Sequence, residues 1–179
     1  MPLPIKLIPL DIPDSEIEVM TDIANKLTSL IDSGYDENSD EVDVLIGQWN
    51  LVSVKHFEFS DFRDYHSWIG TEEFVKTAFY KAQYCDDLSY DEAKAIIEFV
   101  YNAEGDEAQH DYALDSLELN FPNSNASDLI YHPDHWFDDD SMFDVDLTSD
   151  EMLGYLMKKS NRVLTGAPEI KLSYPLSVK

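Results

Sequence analysis

Two short signatures constrain this chain more than anything else in it: Ser89-Tyr90-Asp91-Glu92 and Thr148-Ser149-Asp150-Glu151. Each has the form of a capping box. A hydroxyl and a glutamate three residues on satisfy each other's free backbone N–H groups where a helix starts. After the first, Ala93, Ile96, Ile97 and Val100 recur at i, i+3, i+4 and i+7. After the second, Met152, Leu153, Leu156 and Met157 form another stripe. That period buries one face of a helix and does not fit a strand, whose side chains alternate. Gly105 ends the first helix; Gly166 and Pro168 close the second.

The same reading extends along the chain. Residues 1–13 hold four prolines and read as an extended lead-in. Ile17, Met20, Ile23, Leu27, Leu30 and Ile31 predict a helix over Asp14–Asp32, with Gly34 placed as its C-cap. A shorter helix is expected over Glu41–Asn50, with Val44, Leu45 and Trp49 inward. Leu51-Val52-Ser53-Val54 is open between strand and loop, because its β-branched residues favour the former. Ser60 is placed to cap a turn carrying Phe62 and Tyr65. Thr71 is placed to cap a helix running to Lys81, with Glu72 and Glu73 in its first turn. A further helix is expected from Asp106 to Leu119, with Tyr112, Ala113 and Leu117 inward. Its other side carries Glu107, His110, Asp111, Leu114 and Glu118.

Charge narrows the function classes. The 179 residues hold 37 acids against 12 Lys and Arg, a net charge of −25, yet 44% are hydrophobic. That much apolar material folds, so the acids form a surface rather than a disordered tail. Such a surface repels nucleic acid and anionic membranes and attracts basic proteins. A single cysteine, Cys85, allows no internal disulfide, which fits a reducing compartment. The first residues lack a signal-peptide pattern and no run approaches the ~20 apolar residues of a membrane span. The expected location is therefore the cytoplasm.

Ser127-Asp128-Leu129-Ile130-Tyr131-His132-Pro133 stands apart. Ser127 or Asp128 is placed to cap one helical turn, and Pro133 to stop it. The turn holds a carboxylate and two ring side chains close together, and Asp138, Asp139 and Asp140 follow. The order from Leu88 is long helix, long helix, short turn, long helix. That order and that turn resemble the immunity proteins of colicin- and pyocin-type nuclease bacteriocins. Their short third helix carries Ser-Asp-Leu-Ile-Tyr-Tyr-Pro, matched here at six of seven positions, with His132 replacing the second tyrosine. Ser89–Glu104 resembles the family's first helix, Asp138–Ser141 its acidic segment and Thr148–Lys159 its last helix. The likeness covers residues 88–165; Phe62–Tyr65 and Glu72–Val75 resemble the longer relatives.

The resemblance implies an all-α protein. Residues 87–179 would form a distorted four-helix bundle with a one-turn third helix, and residues 1–86 an N-terminal helical extension. It implies an inhibitor rather than an enzyme. Such a protein would bind the basic nuclease domain of a cognate toxin one-to-one, without contacting nucleic acid or membrane and without a cofactor. The shared binding core would be Asp128, Tyr131 and His132. The specificity face would be Glu107, His110, Asp111, Leu114 and Glu118. Charge reasoning alone supports the broader alternative, an acidic nucleic-acid mimic or regulator of another basic nucleic-acid-binding protein. A third reading takes His132, His135 and Asp138 as metal ligands in a hydrolase. It lacks a His-x₃-His or cysteine pair, so no metal site is assigned. No nucleophile elbow or phosphate loop accompanies the serines or the six glycines.

Overall fold

The computed structural model describes residues 2–176. Met1 and Ser177–Lys179, the outer ends of the two expected domains, lie outside the described residues. The protein is all-α: nine α-helices and three short 3-10 turns, with no strand among the described residues. A lone bridge joins Ser89 and Thr165. No described helix is long and apolar enough to cross a membrane.

The chain packs as two compact units. One holds Pro9–Lys81 together with Asp106–Gln109. The other holds the residues up to Ile8, then Ala82–Gly105 and the chain from His110 onward.

In the first unit, α1 spans Asp14–Asp32, α2 Asp40–Val52, α3 Phe59–Asp64 and α4 Thr71–Thr77. The other three helices pack on α1. Met20, Ile23, Ala24 and Leu27 are the buried residues of α1. Their spacing follows the helical period, and it puts them on one face. At the end of α1, Gly34 takes φ +94° and the Tyr35 N–H donates to the Leu30 carbonyl O at 3.1 Å. Only glycine adopts that φ without strain. The core of this unit is aromatic. The Trp49 and Phe74 rings stack at 5.4 Å, Tyr65 stacks on Phe74 at 4.0 Å, and Phe62 meets Trp49 edge-on at 5.1 Å.

Local signals misplace several boundaries here. Leu51 and Val52 complete α2 rather than forming strand or loop. The turn at Phe62 is capped by Glu58 and Asp61 in a capping box, not by Ser60, which lies inside α3. Gly70, not Thr71, is the N-cap of α4, and that helix stops at Thr77, short of Lys81. Val44 faces outward, while Trp49 is buried as expected and Leu45 is half-buried.

In the second unit, α5 spans Tyr90–Tyr101, α6 Glu107–Asn120 (in this unit from His110 on), α7 Ala126–Tyr131, α8 Pro133–Phe137 and α9 Ser149–Ser160. Helices α5 and α9 pack together, and α7 packs on α8 and α9. Both capping boxes form. Ser89 Oγ accepts from the Glu92 N–H while Glu92 accepts from the Ser89 N–H, and Thr148 and Glu151 do the same. The lead-in is not simply extended. Ile5–Leu7 make a 3-10 turn, Leu3 and Leu7 are buried, and Lys6 Nζ lies 2.9 Å from Glu92 and 3.1 Å from Asp87. Arg162 ties this unit together after α9 ends. It donates to the Asn120 carbonyl O at 2.9 Å, to Asn120 Oδ1 at 2.7 Å and to the Cys85 carbonyl O, and its guanidinium covers the Tyr84 ring.

Candidate functional site

Helices α7 and α8 form a small platform hinged at His132. Asn125 is the N-cap of α7, in the left-handed region at φ +52°. Asparagine tolerates that conformation better than most residues. Neither Ser127 nor Asp128 is the N-cap; they are the second and third residues of a helix longer than one turn. A carboxylate at Asp128 still lies where the first-turn N–H groups favour negative charge. Asn125 Nδ2 donates to Asp128 Oδ2 at 3.5 Å. Pro133 ends α7 only in part. It pushes His132 to φ −138°, ψ 63°, outside the helical region, and then begins α8 as its first residue. The same fixed φ that breaks one helix starts the next, because the first helical position needs no N–H.

Two side chains fix this platform to α6. Glu118 Oε1 accepts from the Ser127 backbone N–H at 3.1 Å, satisfying one of the unpaired donors at the start of α7. His110 Nε2 lies 2.9 Å from the Val100 carbonyl O and 3.0 Å from the Tyr131 hydroxyl. A carbonyl only accepts, so Nε2 carries the proton in this arrangement. It is then shared between that carbonyl, at the end of α5, and the tyrosine oxygen. Tyr131 thus stands 42% exposed but oriented, its ring 6.2 Å from that of His110.

The expected site residues consequently divide. Tyr131 and His132 are exposed, while Asp128, His110, Asp111, Leu114 and Glu118 are half-buried. Glu118 and His110 are holding groups for α7 as well as members of the α6 face. Glu107 is exposed but lies in Asp106–Gln109, the stretch that packs with the N-terminal unit. The His132 and His135 rings stack at 5.4 Å, and His135 Nε2 is 3.6 Å from Asp134 Oδ2. No three His, Cys, Asp or Glu side chains among the described residues are placed to share a metal ion.

Sequence reasoning missed the far wall of this platform. Beside Asp128, a cavity of about 360 Å³ is lined by Asn125, His135, Trp136, Asp138, Lys159 and Leu176. Lys159 Nζ stands 4.5 Å over the Trp136 ring, whose Nε1 donates to the Ser124 carbonyl O at 2.6 Å. Lys159 falls in the last turn of α9, where a cation complements the helix dipole, so its spacing gave no reason to expect it beside Asp128. Leu176 reaches the cavity because the segment after α9 is strapped back. Tyr155 hydroxyl donates to the Tyr174 carbonyl O at 2.9 Å and accepts from the Tyr174 N–H at 2.8 Å.

No protein-family model, curated protein or solved structure matches the chain.

Proposed function

We propose that this protein binds and neutralises the nuclease domain of a bacteriocin-type toxin, through the α7–α8 platform and the adjoining face of α6. The observation that carries the reading is the oriented Tyr131. It projects beside Asp128 and His132, within the seven-residue block that resembles the immunity proteins, on a chain of net charge −25. A nuclease must hold phosphates and is therefore basic over its working surface. An acidic partner competes for that field and steers the encounter. Steering alone gives rate rather than affinity, so an anchor is required. A tyrosine whose hydroxyl is already held in place loses little entropy on docking and suits that role. Asp128 adds a carboxylate for charge-assisted hydrogen bonds to Lys or Arg. His110, through Tyr131, and Glu118, through Ser127, are positioning residues as much as contacts. Blocking would follow from occupying the basic surface, with cytoplasmic protection of the producing cell as the outcome.

The test is calorimetric titration of the protein with a nuclease domain encoded beside it, at two salt concentrations. One-to-one binding that weakens with salt and abolishes cleavage supports the reading. Asp128→Ala and Tyr131→Ala should each weaken the complex by about 2 kcal/mol or more while the fold is kept. Unchanged affinity in both variants removes the assignment of this site. Binding only to a basic nucleic-acid-binding protein that is not a toxin would favour the broader alternative, an acidic mimic or regulator.

A further inference from the structure

The outward face of α2 carries a feature that the platform on α7 and α8 does not use. Val44 and Leu51 lie two helical turns apart on that face and are 58% and 86% exposed. Gly47 lies between them, and a Cβ built there would meet nothing within 4 Å. The stripe therefore has a dip at its centre. Single exposed aliphatics are ordinary. Val44 borders a groove of about 540 Å³ between α1 and α2, where Leu30 and Leu45 are half-buried, Asp40 and Glu41 stand at one edge and Lys26 of α1 at the other; Leu51 continues the stripe beyond it. Asp36, Glu37, Asp40, Glu41 and Asp43 precede or open the helix, and no Lys or Arg occurs from Tyr35 to Ser53. Acids in the first turn complement the helix dipole. That accounts for the acids and not for the aliphatics beside them.

We propose that this face of α2, with the adjoining groove, docks an amphipathic helix of a partner protein whose apolar stripe is flanked by Lys and Arg. Charge selects the occupant. Across residues 9–81 and 106–109, acids outnumber Lys and Arg by 18 to 5. A second copy would bring two strongly negative units together, and an anionic lipid surface would be repelled in the same way. A basic helix meets the acids at the start of α2 and lays its apolar stripe along Val44 and Leu51, the helix-in-groove mode of recognition. Gly47 lets the two helix axes come within roughly 8 Å, the close end of the usual range. The proposal stands independently of the Asp128–Tyr131 site.

The test uses the full-length protein and two labelled synthetic peptides of Leu and Lys. One is patterned as an amphipathic helix; the other has the same composition scrambled. Anisotropy titrations are run near physiological ionic strength, where bulk attraction is screened beyond roughly 8 Å. The patterned peptide should bind at least about tenfold more tightly than the scrambled one. Val44→Glu and Leu51→Glu should each remove most of that advantage, and Asp128→Ala should leave it unchanged. Both α2 positions are exposed, so circular dichroism should show helix content kept; Leu51→Ala serves as a milder variant expected to act in the same direction. Equal binding of the two peptides overturns the proposal, because the attraction is then net charge alone. An advantage retained in the Val44→Glu, Leu51→Glu double variant overturns the site. A concentration-dependent dimer in sedimentation, abolished by Leu51→Glu, overturns the occupant in favour of a second copy.

Discussion

The two units are held together by different kinds of interaction. The N-terminal unit relies mainly on rings, and Asn50 adds a polar clasp, donating to the Phe57 carbonyl O at 2.8 Å and accepting from the Phe57 N–H at 2.9 Å. Trp49, Phe57, Phe62, Tyr65 and Phe74 are all buried and contact one another edge-on or stacked. The C-terminal unit has an apolar core as well, but its irregular segments are fixed by single polar groups. Arg162 holds Asn120 and the Cys85 carbonyl, Glu118 holds Ser127, and Tyr155 holds Tyr174. An aromatic cluster gains from large buried area in preferred edge-on and stacked geometries. A polar clasp is directional and fixes where a loop goes. The difference teaches where each unit is vulnerable, and where a binding surface can be built. Oriented side chains such as Tyr131 belong to the clasped unit.

The comparison is most easily broken at Trp49. Trp49→Ala removes the centre of the ring cluster and should cost about 3–5 kcal/mol, measured by denaturant unfolding, because neighbouring rings cannot fill the void. Its Nε1 is buried without a hydrogen-bond partner among the described residues, so Trp49→Phe should cost much less. Arg162→Ala should cost roughly 2–3 kcal/mol, because the Asn120 and Cys85 carbonyls lose this donor, while Oδ1 of the buried Asn120 keeps the Cys85 N–H at 3.0 Å. Native-state hydrogen exchange should then show the loss concentrated in the loop at Cys85 and the end of α6. A uniform loss across α1–α4 as well would contradict the division of labour.

Smaller effects sharpen it. Ser89→Ala removes a working cap and should cost about 1 kcal/mol, whereas Ser60→Ala, inside α3 with its cap at Glu58, should be near neutral by the same denaturant unfolding. The smallest effect concerns acid. Hydrogen bonds from Lys94 at 2.7 Å and from the Tyr90 hydroxyl at 2.6 Å hold the Asp150 carboxyl below its usual range. A depressed carboxylate adds stability that is present above its unfolded pKa of ~4 and is lost as pH falls through the lower folded value. Asp150→Asn should therefore flatten the dependence of stability on pH below ~5. Equal slopes for wild type and Asp150→Asn would show that this pair contributes nothing in acid.

Legibility followed the kind of signal. Helix α1 ran from Asp14 to Asp32 as its apolar period and Gly34 required, and α5 and α9 began at their capping boxes. Those signals are local, and nothing tertiary opposed them. Helices α3, α4 and α7 are short, with little helix energy of their own, so packing chose their ends. At α7 Asn125, a residue type that favours N-caps, took that position through a left-handed backbone turn rather than a side-chain bond to the helix backbone, with Ser127 and Asp128 competing for the place in sequence. At the platform, spacing correctly put His110 and Glu118 on one side of α6. It gave no sign that they would reach Val100, Tyr131 and Ser127, since those partners come from other turns of chain.

By itself, then, the sequence determined that the chain is helical, where its capped helices begin and that its surface is strongly acidic. Period, capping chemistry and formal charge are properties of neighbouring residues and survive in any arrangement of the helices. Only the tertiary structure decided that Pro133 starts a helix while ending another, that Tyr131 is oriented by His110, and that Val44 and Leu51 remain uncovered on α2. Each of these depends on which distant residues meet, and a contact between residues far apart in the chain leaves no periodic trace in either segment.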